Sequence, residues 1–409
     1  MRACITGMGA ITSLGLNVRE MYKGLQNNDC NIKYYEEWKQ YNGLNSFLGA
    51  PVPSYDIKYL PREVRRSMSR MSEMAFLSTI EALKQANIDL EEVRKINTDR
   101  VLLIMGSTTG SPACLEEYYR KLFENNGPKG QLSTSFFKVM GHSVAANVAL
   151  GLGLKSPMIS CASACSTSSH AVILGMELIK TGLYDMVIAG GADELHYTSA
   201  CVFDTVKAAC TQFMDRPQES SRPFDKDRAG LVVSEGASTI IIESMEHASK
   251  RGVEVHAELL GGAYYCDGTH MSQPQQNSMM QTMKMCLNRA GIPPSQVDYI
   301  NAHATATSIG DIEESNAVAS VFGNDTPVSS LKGHLGHSLA ACGGLELIAS
   351  VEMIKNQEII ATKNLIEVDS KCAPILLLKE NEKRKVNIVL SNNFAFGGMN
   401  TSLIVSRPL

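Results

Sequence analysis

The stretch SCASACSTSSHAVILGMELIKTG, residues 160–182, places small and hydroxyl side chains directly before an apolar segment. From Ala171 onward apolar residues occupy more than one helical face, which is typical of a buried helix, and Gly182 is suited to end it. Cys165 therefore stands where a strand turns into a helix. Free backbone N–H groups and the helix dipole favour a thiolate there, so we expect a lowered pKa and a nucleophilic cysteine.

Other residues of this stretch have simpler interpretations. Cys161 is interpreted as a small buried residue that only fills space in the core. Taken alone, Cys165 would have the same interpretation. No second cysteine pair stands at metal-ligand spacing, so a zinc site is not expected. His170 is expected to point away from the thiol, five residues along a buried helix. We expect the hydroxyl residues to start the helix and to line a pocket.

Outward from this stretch, short apolar runs of β type alternate with helix-period segments. The β-type runs lie at 101–110, 185–194, 237–244, 297–305 and 386–398. Helix-period segments lie at 70–87, 279–291 and 343–356, besides the one after Ser166. The alternation predicts an α/β fold, and the near-continuous apolar strands predict sheets covered on both faces.

The length of the chain predicts two units. Its 409 residues exceed the roughly 250 to 300 at which one core usually stops growing. No proline-rich or charge-rich linker divides it, so we expect two closely packed halves, 1–252 and 253–409, with a helix ending at Gly252. A weak echo between VLLIMGSTTG at 101 and VDYINAHAT at 297 supports a duplication.

Composition narrows the class of protein. The net charge of −4 gives no electrostatic case for nucleic acid as a partner. Eleven scattered cysteines do not resemble a disulfide framework and fit a reducing cytoplasm. The N-terminal MRACITGMGAITSLG lacks the apolar length of a signal peptide or membrane span and predicts a first strand and turn. Neither GMGA nor AGGADE completes a dinucleotide-binding glycine pattern.

Two further segments carry histidines. INAHATATSIGD, residues 300–311, places His303 after an apolar strand, at the sheet edge where α/β enzymes bind ligands. SSLKGHLGHSLAACGG, residues 329–344, holds Lys332 and His337 in a glycine-punctuated loop. A helix-end cysteine and two histidines are the groups that acyl transfer requires, a thiol to hold the acyl group and imidazoles to move protons.

Two other interpretations of these segments stay open at this point. His334 and His337 have the spacing of metal ligands, although no nearby acidic residue or third histidine completes a site. His334 also fits a loop residue with local hydrogen bonds. SNNFAFGGMN, residues 391–400, fits either a loop that gates an apolar pocket or a plain turn with core phenylalanines.

Taken in order, five motifs resemble those of the elongating β-ketoacyl-acyl carrier protein synthases, the type II condensing enzymes of fatty acid and polyketide assembly. They are SACSTSSH, RPFDKDRAGLVVSEGA at 222–237, HATATSIGD, KGHLGH and FAFGG. The resemblance covers essentially the whole chain. It implies the thiolase-like fold, two similar βαβαβαββ halves in a five-layered α-β-α-β-α arrangement, and a dimer as the working unit.

The resemblance also implies a role for each matched residue. Cys165 would accept the acyl chain, and His303 and His337 would assist malonyl decarboxylation beside Lys332. The other matches are Thr305 and Thr307 at the phosphopantetheine arm, Phe394 and Phe396 in the gating loop, and Asp311 and Glu314 as supports of the catalytic loop. The Phe396 N–H would join that of Cys165 as oxyanion donor. No metal or resident cofactor is implied, because 4′-phosphopantetheine arrives on the acyl carrier protein.

A cluster of arginines offers a surface for that carrier, which is typically acidic. LPREVRRSMSR, residues 60–70, contains Arg62, Arg65, Arg66 and Arg70 in an otherwise acidic chain. We expect it to dock the carrier protein. A solvated helix face is the alternative.

Departures from the family pattern concern the substrate. Ala395 stands where the gating loop usually has glycine, and Ala306 replaces a common serine. Thr109 occupies a position where an apolar residue often lines the acyl pocket. The preferred chain length, and the choice between fatty acid and specialised polyketide assembly, therefore stay open.

Related functions fit the motifs less well. A degradative thiolase should carry a second cysteine in the C-terminal glycine-rich loop, which FAFGG lacks. An initiating condensing enzyme would pair cysteine with one histidine and an asparagine. A chain-length-determining partner would lack the nucleophile. The active subunit of a ketosynthase/chain-length-factor heterodimer, making a specialised polyene or polyketide, remains the alternative to a homodimer.

Overall fold

A computed structural model of the chain describes residues 1–96 and 99–408. Its strands are β1 (Ala3–Ile11), β2 (Lys33–Tyr34), β3 (Leu48–Ala50), β4 (Val101–Gly106), β5 (Met158–Ser160), β6 (Met186–Asp193), β7 (Val233–Ser234), β8 (Gly236–Ser244), β9 (Ala257–Cys266), β10 (Tyr299–Asn301), β11 (Val328–Ser329), β12 (Glu358–Ile359), β13 (Glu382–Lys383), β14 (Ile388–Ala395) and β15 (Met399–Ser406).

The α-helices fall mostly between these strands. They are α1 (Val18–Gln26), α2 (Arg62–Arg65), α3 (Arg70–Gln85), α4 (Leu90–Lys95), α5 (Pro112–Glu124), α6 (Ser143–Leu152), α7 (Thr167–Lys180), α8 (Tyr197–Thr205), α9 (Met245–Arg251), α10 (Gln276–Ala290), α11 (Ser308–Phe322), α12 (Lys332–Leu335) and α13 (Cys342–Asn356).

One ten-stranded sheet runs through the molecule in the order β11-β10-β14-β15-β9-β1-β8-β6-β4-β5. Its two halves meet where Ala3–Ile5 of β1 pair antiparallel with Ala257–Leu259 of β9. Read outward from that join, β1-β8-β6-β4-β5 and β9-β15-β14-β10-β11 have the same arrangement. The duplication is therefore present, and the echo between residues 101 and 297 falls on the equivalent strands β4 and β10.

The two central helices lie between the half-sheets. Helix α7 contacts β6 and β4 of the first half and β9 and β15 of the second, while α13 contacts β8 and β14. Helices α3 and α6 cover the outer face of the first half-sheet, and α10, with α11 against it, covers the second. Five layers follow, α-β-α-β-α, which confirms the predicted thiolase-like fold.

The predicted elements agree with the structure within a few residues. Strand β10 is shorter than its apolar run because the chain leaves the sheet just before His303. Helix α9 ends as expected, with Gly252 in the left-handed region at φ 65°. The division at 252/253 stays a prediction.

Two further expectations concern membrane-spanning helices and disulfide bonds. Among the helices of the described ranges, none combines the length and apolar character needed to cross a bilayer. Each of the eleven cysteines lies in the described part of the chain and is free.

Candidate active site

Cys165 lies in a 3-10 turn, Ala164–Ser166, that leads directly into α7. Ala164 is held in the left-handed region at φ 48°, an unfavourable conformation for a residue with a Cβ. Hydroxyl groups hold this turn: the Thr167 Oγ1 donates to the Ala164 carbonyl at 2.8 Å and accepts from the Ser163 N–H at 2.9 Å. The predicted strand-to-helix placement is confirmed. The hydroxyl residues hold the turn before α7, although Ser166 at the N-cap makes no side-chain capping bond.

The expectation of a lowered thiol pKa is wrong. Burial raises the pKa of Cys165 to about 12, and the nearby charge of Lys332 only partly opposes this. The side chain is 5% exposed, so desolvation of a thiolate outweighs the helix end. In the resting site Cys165 is therefore a neutral thiol, and its proton must leave when it reacts.

His337 lies beside that thiol, with its Nε2 3.0 Å from the Cys165 Sγ. Its backbone is fixed by the motif at 222–237: the His337 N–H donates to the Val232 carbonyl at 2.8 Å, and the Ser234 N–H donates to the His337 carbonyl at 2.9 Å. Burial, together with the charge of Lys332, holds the pKa of His337 well below its usual range. The imidazole is therefore neutral and can accept the thiol proton.

His303 faces the same space, its ring centroid 5.4 Å from that of His337. Its loop is braced by the buried Glu314, whose carboxylate accepts the backbone N–H groups of His303 at 2.8 Å and Ala304 at 2.7 Å. Burial raises the pKa of Glu314 to about 8, although these two amides oppose it. Burial also holds the pKa of His303 well below its usual range, so both histidines are neutral.

Asp311 supports the end of the same loop. Its carboxylate accepts the Phe224 N–H at 2.7 Å and lies 3.6 Å from the Arg228 guanidinium. Arg228 also donates to the backbone carbonyls of Thr307 at 3.2 Å and Ser308 at 2.8 Å. The motif at 222–237 therefore braces both histidine loops.

Lys332 is buried and forms an ion pair with Glu346, Nζ to Oε1 2.5 Å, with 2% of each side chain exposed. Sequence reasoning missed Glu346, which lies on α13. One signal was present, because Glu346 is the charged residue within the apolar run GGLELIAS, and a buried lysine requires an anionic partner.

A cavity of about 430 Å³ opens from Cys165. Its lining includes the predicted residues His303, Thr305, Thr307, His337, Phe394 and Phe396. The hydroxyl oxygens of Thr305 and Thr307 lie 3.2 Å apart on one wall. The structure thus brings together the predicted nucleophile, both histidines and the gating loop around one cavity.

Thr109 and the arginine cluster at 62–70 lie outside the lining of this cavity. Thr109 is exposed in the single chain and is outside the lining of this cavity, because the loop after β4 turns its side chain outward. Arg70 forms a bidentate ion pair with the buried Glu235, Nε at 2.7 Å and Nη2 at 2.5 Å, so its charge is already neutralised. Arg65 donates its Nε to the Leu60 carbonyl at 2.9 Å.

Three other residues have structural roles. The Cys161 Sγ packs 3.8 Å from the Thr167 carbonyl. The His170 ring packs against Tyr264 at an angle of 37°, with centroids 4.8 Å apart, and is outside the cavity lining. Both His334 nitrogens contact backbone carbonyls, at 3.2 and 3.1 Å. These carbonyls belong to Asp29 and Ala361, which are distant in the sequence, and His334 lies in α12, so the expected local hydrogen bonds in a loop are wrong; neither ring nitrogen is free for a metal.

The donor atoms of the site are close enough to hold a metal ion. Those of Cys165, His303 and His337 lie within 4.8 Å of one another, and so do those of His303, Cys342 and Glu346. Both sets contain residues of the acyl-transfer arrangement.

Two family models match the chain: the N-terminal domain of β-ketoacyl synthases over residues 2–248 and the C-terminal domain over 256–366. The chain belongs to the β-ketoacyl synthase family. It is therefore a condensing enzyme of the acyltransferase class, as the motifs predicted.

Curated relatives and solved structures agree with this assignment. The enzyme is 34% identical to 3-oxoacyl-[acyl-carrier-protein] synthase 1 of Escherichia coli strain K12, over 99% of each chain, and 32% identical to nodulation protein E of Rhizobium meliloti, over 98% of each. A β-ketoacyl synthase from Burkholderia phymatum STM815 superposes with a TM-score of 0.95 at 38% identity, covering 100% of both chains. The ishigamide ketosynthase/chain length factor superposes at 0.90 and 26% identity, covering 100% of this chain and 99% of its own.

Proposed function

We propose that the enzyme is an elongating β-ketoacyl-acyl carrier protein synthase that acts through Cys165, His303 and His337. The observation that carries this assignment is the contact of 3.0 Å between the Cys165 Sγ and the His337 Nε2 at the inner end of the cavity. A second neutral imidazole, that of His303, faces the same space. Curated relatives named 3-oxoacyl-[acyl-carrier-protein] synthases, at 31 to 34% identity, support the same reaction.

The first half-reaction transfers the acyl group. The Cys165 sulfur bonds to the carbonyl carbon of the carrier-bound thioester, and the bond from that carbon to the phosphopantetheine sulfur breaks. The thiol proton passes to His337 and then to the leaving thiolate. The backbone N–H groups of Cys165 and Phe396 would stabilise the oxyanion.

The second half-reaction forms the carbon–carbon bond. The malonyl thioester loses CO₂, and the electron pair of the broken bond becomes an enolate whose oxygen the His303 and His337 imidazoles stabilise. The enolate carbon attacks the acyl-Cys165 carbonyl, the bond from that carbon to the Cys165 sulfur breaks, and the thiolate takes up a proton from water. Thr305 and Thr307 would hold the phosphopantetheine arm, which arrives on the carrier, so this scheme uses no resident cofactor.

The direct test supplies purified enzyme with acyl-carrier and malonyl-carrier thioesters over a series of acyl lengths. We expect one CO₂ and one β-ketoacyl-carrier, two carbons longer, for each condensation. If no acyl length gives a β-ketoacyl product, the proposed reaction is wrong.

The surface supports a homodimer. Helix α5, which the structure describes in full, has no residue buried in the single chain, and it exposes the rings of Tyr119 and Phe123. Strand β5 lies at the edge of the ten-stranded sheet with Met158 and Ile159 exposed. Unpaired edge strands and exposed aromatic residues mark surfaces that associate.

Gel filtration distinguishes the homodimer from a ketosynthase/chain-length-factor heterodimer. The similarity to the ishigamide ketosynthase/chain length factor keeps the heterodimer as the alternative. We expect an active dimer when the chain is expressed alone. A monomer that gains activity only with a second ketosynthase-like subunit would favour the heterodimer. We place the reaction in the cytoplasm, because the eleven cysteines are free.

We also propose a carrier-docking groove, lined by Arg62 and Arg66 together with Lys121 and Lys138. Arg62 and Arg66 are exposed. Glu63 and Glu117 also line the groove, but the four basic residues outnumber them, so the groove has a net positive charge. An acidic carrier protein fits this charge.

Changing both Arg62 and Arg66 to glutamate should raise the KM for acyl-carrier substrate by about 10- to 100-fold, because attraction becomes repulsion. Turnover of a short thioester without the carrier protein should not change. The matched control is Lys383→Glu with Lys385→Glu, which makes the same charge change at exposed positions elsewhere. Equal KM values for both double variants would remove this surface from the proposal.

A further inference from the structure

The Cys165 sulfur and two histidine rings form a group of metal-binding atoms at the inner end of the cavity. Donor atoms of Cys165, His303 and His337 lie within 4.8 Å of one another, and the Cys165 Sγ is 3.0 Å from the His337 Nε2. A tetrahedral zinc ion bonded to one sulfur and two nitrogens holds these atoms about 3.3 to 3.6 Å apart. Small movements of the side chains would therefore bring all three atoms to one ion.

The cavity gives an ion access to these three side chains, because all of them line it. Its volume of about 430 Å³ also leaves room for water at a fourth position of the ion. Three protein ligands with an open fourth position are typical of catalytic zinc sites rather than structural ones. The arrangement therefore meets the requirements of ligand type, ligand number and entry path.

A second set of donor atoms, from His303, Cys342 and Glu346, is less suitable for a metal ion. Its atoms also lie within 4.8 Å of one another. The Glu346 carboxylate, however, is already paired with Lys332, and the Cys342 Sγ donates to the Cys165 carbonyl. Neither Cys342 nor Glu346 lines the cavity. The first set offers both access and available ligands, and the second offers neither.

The charges around the Cys165 thiol permit a cation. The positive charge of Lys332 is offset by its ion pair with Glu346. When a metal ion binds, the Cys165 S–H bond breaks, the sulfur keeps the electron pair and the proton leaves to solvent. A metal-bound thiol is deprotonated outright, even where burial disfavours the free thiolate. The thiolate then supplies a negative charge next to the ion.

We propose that Cys165, His303 and His337 form an inhibitory binding site for Zn²⁺. Sulfur and imidazole ligands favour zinc and cobalt over magnesium and calcium, which prefer oxygen ligands. The bound ion occupies the sulfur electron pair that attacks the thioester, and it occupies the imidazoles that stabilise the enolate. Metal binding stands on the geometry alone, whereas its inhibitory effect rests on the proposed function.

The inhibition should be reversible, because the site lacks the supports of a permanent zinc centre. A zinc-binding histidine usually donates its second ring N–H to a carboxylate or a carbonyl. Within the described ranges, the Nδ1 atoms of His303 and His337 are buried without a hydrogen-bond partner. Loss of such a partner typically weakens metal binding by about 10- to 100-fold. A chelator such as EDTA should therefore remove the ion and restore activity.

The test titrates metal-free enzyme with Co²⁺, whose absorption spectrum reports its ligands and geometry. We expect one Co²⁺ per chain, with the visible absorption of tetrahedral cobalt and a sulfur-to-cobalt charge-transfer band in the near ultraviolet. Zn²⁺ should displace the cobalt, and Mg²⁺ at the same concentration should not. Cys165→Ala should lose the charge-transfer band and bind the ion at least about 100-fold more weakly, because one of three ligands is missing.

Two other cysteine variants are the matched controls. Cys342→Ala removes the thiol of the second donor set, and Cys266→Ala removes an exposed thiol outside the cavity lining. Both variants should keep the one-to-one stoichiometry and the charge-transfer band. A band that persists in Cys165→Ala, or that disappears in either control, would place the metal elsewhere and overturn the proposal.

A measurement on unmodified enzyme does not depend on the folding of any variant. At a Zn²⁺ concentration ten times its Kd, alkylation of Cys165 by iodoacetamide should slow by about tenfold, because about a tenth of the chains stay metal-free. Acyl loading of Cys165 should slow equally, and EDTA should restore both rates. Unchanged alkylation, or slowed alkylation with normal acyl loading, would overturn the proposal. The condensation assay without added zinc tests the proposed function separately, so the two failures are distinguishable.

Discussion

Cys165→Ala is expected to lower the rate of β-ketoacyl product formation by at least about 10⁴-fold, a typical effect of removing a catalytic nucleophile. Among the described thiols, the neighbouring Cys342 does not line the cavity, and its Sγ donates to the Cys165 carbonyl at 3.1 Å. The measurement is product formation from acyl-carrier and malonyl-carrier thioesters.

Cys161→Ala is the matched control for that variant. Cys161 is also buried, four residues earlier, and its sulfur contacts backbone rather than an imidazole. It should retain activity within a few-fold of wild type. If Cys165→Ala kept more than a tenth of wild-type activity, Cys165 could not be the acyl acceptor.

Lys332→Ala is expected to have the second-largest effect. Removing the lysine leaves Glu346 buried without its cation, which typically costs about 3 to 5 kcal/mol of unfolding free energy. It also removes the positive charge beside Cys165 and both histidines, so kcat should fall by about 10²-fold. Urea unfolding and steady-state turnover measure the two effects separately.

A double variant separates folding from catalysis at this pair. Lys332→Met combined with Glu346→Gln removes both charges and keeps an oxygen acceptor for the buried Asn393, whose Nδ2 donates to the Glu346 Oε2 at 2.6 Å. We expect most of the stability to return, because no unpaired charge is buried, while turnover stays low. Stability within about 1 kcal/mol of wild type for Lys332→Ala alone would contradict the assignment of a buried ion pair.

Much of the fold and site could be predicted because local patterns carry them. The run of small residues before the apolar segment at 171–180 predicts that Cys165 lies at the start of a helix, and this prediction needs only the local sequence. The strand ends before His303 and the loop around His337 similarly follow from short apolar runs that stop at small residues. Because these loops occupy equivalent positions in the two duplicated halves, they meet at one edge of the sheet.

What could not be predicted depends on long-range packing. The prediction of a lowered pKa for the Cys165 thiol was wrong, because a sequence shows where a helix begins but not how deeply that turn is buried. Asn393 and Glu346 are 47 residues apart and meet only when β14 packs on α13. The ion pair of Arg70 was not foreseen, because its partner, Glu235, is 165 residues away on the chain.

The most direct test of the account is intact-mass analysis after incubation with acyl-carrier thioester in the absence of malonyl substrate. Wild-type enzyme should gain the mass of one acyl group, and the peptide that contains Cys165 should carry it. Cys165→Ala should gain nothing. A mass gain that persists in Cys165→Ala would contradict the central claim that Cys165 holds the acyl chain.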